Sequence, residues 1–200
     1  MELTDFQLDI IKELVNIGVG KASSLLNEIV KHHILLKVPV AKIISNENDM
    51  KDELKNYDEN ISSIRLKFKG GFSGSSILIF SSKNASKLID IVTDDIAQNY
   101  DFDSIRIGVL TEIGNILINA IVGSISNILN KYIKYSIPFY NESKISNIYE
   151  LVKISIANKS DIIFIRSTFI IKDLEIKGDI ILIFELDSLK NLIEEIEKKM

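Results

Sequence analysis

This chain of 200 residues contains two prolines, and both stand behind the same pattern. Glu13-x-x-Asn16 is followed downstream by Pro39, and Glu112-x-x-Asn115 by Pro138, with the same spacing from asparagine to proline in each. The copies keep a constant offset of 99. A period near 100 residues is too long for a solenoid. It points instead to two related halves, about 1–99 and 100–200, joined about a pseudo-twofold axis within a single domain spanning 1–200.

The elements follow the same repeat. Thr4-Asp5-Phe6-Gln7 has the form of a capping box, and a long helical pattern runs from it to about Lys31. Ile34 to Ile44 reads as a strand, with Pro39 favouring an edge or an end. Ile64, Leu66 and Phe68 alternate with Arg65, Lys67 and Lys69, which predicts a strand with one wet face. Gly70-Gly71 turns the chain, Ser75 to Phe80 returns as a more buried strand, and Asn84 to Val92 is a short helix. The second half brings a long helix from Asp101 to about Lys131 and a strand at Tyr132–Pro138. Strands follow at Val152–Ile156, Ile162–Ile171 and Asp179–Phe184, with a last helix from Asp187. The strings Gly74–Phe80 and Gly178–Phe184 also match. Each half has too little sheet to bury its own face. The expected fold class is therefore α/β (α+β), with one continuous, mainly antiparallel sheet and two long helices on it.

Composition narrows the function classes. Hydrophobic residues make up 46% of the chain, enough for a real core. Isoleucine, the commonest residue, favours strands as well as helices. A formal charge of -4 makes a poor partner for nucleic acid or an anionic membrane. The segment from Glu47 to Glu59, with six acids and two lysines, accounts for that whole excess and reads as a solvated loop or short helix. The absence of cysteine removes disulfides, thiolate catalysis and thiolate metal sites. Met1 to Asp5 lacks the basic, then apolar, opening of a leader, and no stretch reads as a membrane span. The expected location is cytoplasmic, with no nucleic acid and no membrane insertion.

Along the first helix, Asp9, Glu13, Asn16, Gly20, Ser23 and Asn27 fall on one narrow stripe, while most of the remaining surface is apolar. Glu112, Asn115, Asn119, Gly123 and Ser126 make the same stripe on the second helix. A duplicated scaffold explains the spacing. It does not explain why a carboxylate and an amide recur on an outward face. Other motifs lead nowhere. Gly18 to Ser23 lacks the spacing of a phosphate loop, with Val15 where glycine is needed and Ala22 where Ser/Thr is needed. The only histidines, His32 and His33, are adjacent and cannot jointly clasp a metal in extended chain.

The pattern Asp/Ser-x-x-x-Glu-x-x-Asn, with a proline at this distance behind it, resembles the CheC/CheX/FliY family of chemotaxis phosphatases. The first copy matches it as Asp9, Glu13, Asn16 and Pro39; the second matches as Glu112, Asn115 and Pro138, with Gly108 in place of the Asp/Ser. Asn16-Ile17-Gly18-Val19-Gly20-Lys21-Ala22 and Glu112-Ile113-Gly114-Asn115-Ile116 are similar to the family as well, although Lys21 stands where relatives often have Asn. Two sites in one chain is the arrangement of the CheC type; CheX has one site per chain, and FliY carries a further C-terminal domain.

The resemblance implies hydrolysis of the aspartyl phosphate of a CheY-type response regulator, the receiver supplying Mg²⁺ and the phosphatase needing no cofactor of its own. It implies that Glu13, Asn16, Glu112 and Asn115 are catalytic, with Asp9, Gly20 and Asn119 as a supporting binding strip and no metal ligand. Each Asn would orient the attacking water and each Glu would pair with the receiver's lysine. CheD is implied as a further partner. The alternative is a non-catalytic receiver-binding or CheD-binding adaptor.

Overall fold

The computed structural model describes residues 4–37, 39–44, 46–55, 60–93, 102–148 and 162–185, together with 189, 193–194 and 196–197. The element order is α1 (Asp5–Val30), β1 (Ile34–Leu36), β2 (Val40–Ile44), α2 (Glu47–Leu54), β3 (Asn60–Gly70), β4 (Gly74–Ser81), α3 (Ser82–Val92), α4 (Phe102–Ile128), β5 (Ile133–Tyr135), β6 (Phe139–Lys144), β7 (Ile162–Ile171) and β8 (Ile176–Glu185). The strand expected at Val152–Ile156, and most of the helix expected from Asp187, lie outside the described residues.

The strands form one eight-stranded sheet in the order β1-β7-β8-β4-β3-β5, with β2 also on β7 and β6 also on β3. Every pairing is antiparallel. The fold is thus the expected α+β architecture. At the centre β4 and β8 lie side by side, Gly74 opposite Phe184 and Gly178 opposite Phe80. The matching strings therefore face each other in reverse. Each glycine makes room for aromatic rings: a Cβ at Gly178 would come within 2.4 Å of Phe169, and one at Gly74 within 2.7 Å of Phe68. Phe80 and Phe169 meet edge to face at 5.4 Å, and Phe68 and Phe184 pack with tilted rings at 5.5 Å.

The prolines explain the sheet margins. The single strand expected over Ile34–Ile44 is two short ones, β1 and β2, lying end to end along β7 with Pro39 in the gap. Likewise β5 and β6 run along β3, with Pro138 in their gap. A residue without an N–H interrupts the ladder, and an edge tolerates the break. Hydrogen bonds that use serine hydroxyls bridge both gaps. Lys37 N–H donates to the Thr168 carbonyl at 2.9 Å and the Ser167 hydroxyl to the Lys37 carbonyl at 2.9 Å. Ser136 N–H donates to the Lys67 carbonyl at 2.9 Å and its hydroxyl oxygen accepts from Lys67 N–H at 3.0 Å. Sequence reading missed β6, a polar run (Phe139–Lys144) without hydrophobic alternation.

One sheet face carries the main core, built with α1, α3 and α4 from residues such as Val15, Leu26, Ile64, Phe80, Leu117 and Ile121. The opposite face carries a smaller core of Ile44, Leu54, Ile61, Ile77, Ile79, Ile148 and Ile181 among others. The alternation expected over Ile64–Lys69 is present on β3, and the second layer adds what the sequence reading did not include: the strand begins at Asn60, and residues 61–64 are buried on both sides. It also gives α2 a buried side. Leu54 packs in the second core, and Glu53 is buried beside Lys42, whose ammonium pairs with its carboxylate. The Arg166 guanidinium donates to the Glu53 carbonyl at 2.9 Å.

Helix α4 departs from expectation in another way. Within Ser104–Ile128 an 18-residue stretch has a mean hydropathy of 1.6, so by length and composition the helix could cross a membrane. Here its apolar surface is taken up by the sheet and by α1. A Cβ at Gly114 would lie 2.6 Å from Ile64 of β3, and one at Gly18 of α1 would lie 2.8 Å from the Ile121 carbonyl. A helix covered on several sides is apolar almost all round, and only a narrow stripe stays polar.

Candidate functional site

Both ends of α1 are tied down. The Thr4 hydroxyl oxygen accepts from Gln7 N–H at 3.2 Å, and the Gln7 side-chain oxygen accepts from Thr4 N–H at 3.1 Å, completing the capping box. At the other end Lys31 takes the left-handed conformation with φ 55°, and its N–H donates to the Asn27 carbonyl at 2.8 Å. The Asn27 side-chain oxygen accepts from Ile34 N–H at 2.8 Å, joining the helix to β1. Spacing places Asn27 on the polar stripe; in the fold its amide serves the helix–strand connection.

Between these ties Ile11, Val15, Gly18, Val19, Ala22 and Leu26 are buried, which turns Asp9, Glu13, Asn16 and Gly20 outward. The Asp9 carboxylate pairs with Lys12 at 2.8 Å, a local partner the stripe does not include. Glu13 and Asn16 stand one turn apart, and neither side chain has a hydrogen-bond or ion-pair partner among the described residues. Gly20, a further turn on, opens onto empty space. Ile17 is 48% exposed beside them. Sequence alone could not separate that isoleucine from the core ones around it, because the flanking pattern is apolar on nearly every side.

The matching turn on α4 differs. Glu112 is exposed, but Asn115 is only half exposed. The Asn119 side-chain N–H₂ donates to Asn115 Oδ1 at 2.8 Å, while Asn119 Oδ1 is buried without a hydrogen-bond partner among the described residues. Gly108 opens onto empty space, as Gly20 does. Farther along, Gly123 lies under the Tyr135 hydroxyl, which a Cβ would meet at 3.7 Å. Ser126 is buried and its hydroxyl donates to the Lys131 carbonyl. The stripe on α4 thus remains available at Glu112 and Asn115 and is covered beyond Asn119. Burial raises the Tyr135 phenol above its ordinary pKa.

Each turn offers an acceptor-only carboxylate and an amide that both donates and accepts, on a rigid helix face. Such a face can meet a cation and a water without first breaking an internal contact at Glu13 and Asn16. Among the described residues no cluster of three or more His, Asp or Glu is arranged to hold a metal.

Comparison with known proteins finds similarity in sequence and in fold. The chain is 28% identical over 139 residues to the CheY-P phosphatase CheC of Bacillus subtilis, a match covering 66% of this chain and 64% of the relative. In sequence the chain is thus similar to a protein of the CheC type. The match spans less than two thirds of that relative's length. Among solved structures, FliY of Thermotoga maritima superposes with a TM-score of 0.74 at 20% identity, covering 100% of both chains. CheX in the CheX-CheY-BeF3-Mg complex of Borrelia burgdorferi gives a TM-score of 0.55 at 16% identity, covering 86% of this chain and 97% of that one. Middle domains of FliM from H. pylori and Vibro alginolyticus share the fold as well. No family model matches the chain.

Proposed function

We propose that this protein hydrolyses the aspartyl phosphate of a CheY-type receiver, using Glu13 with Asn16 on α1 and Glu112 with Asn115 on α4. The observation that carries the reading is the repetition of one carboxylate–amide turn on both long helices, with Glu13, Asn16 and Glu112 exposed and Asn115 partly so, in a chain whose relative is a CheY-P phosphatase. A phosphorylated receiver brings its own Mg²⁺ and lysine to the phosphoryl group, so what the phosphatase adds is position. Asn16 and Asn115 hold the attacking water in line with the phosphorus–oxygen bond that breaks. An amide suits this because it accepts and donates in fixed geometry and does not titrate near neutral pH. Glu13 and Glu112 pair with the receiver's lysine and set the register of docking. Gly20 leaves room for the partner's backbone, and Ile17 adds apolar contact at its edge.

The test is phosphate loss from a phosphorylated receiver. Asn16→Ala and Asn115→Ala together should remove the acceleration, a fall on the order of 100-fold if water positioning is its source. Binding of a beryllofluoride-activated receiver should persist. A double variant that still accelerates phosphate loss would sink the mechanism. The second reading is a non-catalytic adaptor for the receiver or for CheD, and a chain of the FliG-FliM complex from H. pylori shares this fold. It predicts receiver or CheD binding by the native chain with no acceleration.

A further inference from the structure

The two turns differ in one contact, and that contact lies on the proposed reacting amide. On α4, Asn119 donates a hydrogen bond of 2.8 Å to Asn115 Oδ1. The position matching Asn119 on α1, at the same offset of 99, is Gly20, with no side chain to offer. We infer that Asn119 is a positioning residue for the α4 site, holding the Asn115 amide in the orientation that presents its oxygen to the attacking water. The inference rests on the phosphatase reading above.

The last torsion of an asparagine is broad and weakly restrained, so an isolated surface amide samples many orientations. An attacking water must aim a lone pair at phosphorus and therefore needs an acceptor for one of its hydrogens. Asn115 Oδ1 has two lone pairs; Asn119 takes one and leaves the other for that water. Fixing the plane of the amide beforehand removes part of the entropy that the transition state would otherwise have to lose. Asn16 has no such brace among the described residues.

A second observation separates this role from simple packing. Asn119 Oδ1 is buried with no hydrogen-bond partner among the described residues, which is a cost to folding. An apolar side chain of similar size would fill the same space without that cost. An amide kept there at the expense of an unpaired oxygen is explained by what its N–H₂ does for Asn115.

The experiment uses the full chain with one site silenced at a time. In an Asn16→Ala background, where only α4 reports, Asn119→Ala should lower kcat for receiver dephosphorylation by about fivefold and leave KM unchanged. In an Asn115→Ala background, where only α1 reports, Asn119→Ala should leave kcat unchanged. A native protein that does not accelerate phosphate loss ends the phosphatase reading and this inference with it. An active native protein whose α4 rate is indifferent to Asn119→Ala overturns the inference alone. So does an equal fall in both backgrounds, which would mean general damage to the fold. Should Asn119→Ala fail to fold, Asn119→Leu in the Asn16→Ala background decides, since leucine is similar in size and cannot donate: a fall in kcat of about fivefold with KM unchanged supports the brace, and an unchanged rate overturns it.

Discussion

At Gly18 a Cβ would sit 2.8 Å from the Ile121 carbonyl oxygen and 2.9 Å from its Cα, so α1 and α4 meet there backbone to backbone. Backbone cannot move aside as a flexible side chain can. Gly18→Ala should therefore destabilise the fold by about 1–3 kcal/mol, measured as a lower urea midpoint. Gly108→Ala, in open space on an exposed helix face, should instead stabilise the fold by about 1 kcal/mol and raise the midpoint. The two substitutions are chemically identical, so opposite signs test the packing directly. The sequence marks both glycines as helical and says nothing of which one touches a neighbour. Asn119 is a similar case. Its place on the polar stripe is legible from spacing, whereas its bond to Asn115 depends on side-chain torsions that spacing does not contain.

Among the elements, α2 diverges most from what its composition suggests. Its acids read as a solvated segment, yet Glu53 is only 8% exposed and its neighbour Leu54 is buried in the second core. Lys42 of β2 and Arg166 of β7 converge on Glu53 and hold α2 to the sheet. Because the Lys42 side chain is 52% exposed, the pair is worth less than a fully buried one. Glu53→Ala should cost about 1–2 kcal/mol and open α2 before the rest, seen as faster amide exchange within Glu47–Leu54. Equal exchange in variant and native protein would show that α2 is held by Leu54 and not by charge. The long helices were legible because caps and periodicity act within one segment. Strand β6 was not, because its partner β3 lies far back in the chain: Ser63, for example, pairs with Asn141.

For the molecule as a whole, the short edge strands serve the other part of the chain. β1 and β2 pair with β7, and β5 and β6 pair with β3, while β4 and β8 close the centre. Residues 1–99 alone would leave β1 and β2 without their partner strand, and residues 100–200 alone would leave β5 and β6 without theirs. Neither fragment should show a cooperative thermal transition by circular dichroism, and an equimolar mixture should recover one. A fragment that unfolds cooperatively by itself would mean that each half closes its own core.

Chemistry written along the chain was enough for the two long helices, the prolines at sheet margins, the antiparallel α+β class and the recurrence of a carboxylate and an amide on each helix. All of these rest on local periodicity or on a pattern repeated at a fixed offset, which a linear chain displays directly. Folding in three dimensions added the second core on the far face of the sheet, and the cover that β3 and α1 give to α4, a helix apolar enough for a membrane span. It also distinguished Asn16, without a side-chain partner among the described residues, from Asn115, braced by Asn119. Those differences arise from which surfaces meet across the fold, and two copies of one motif acquire different neighbours once the chain closes.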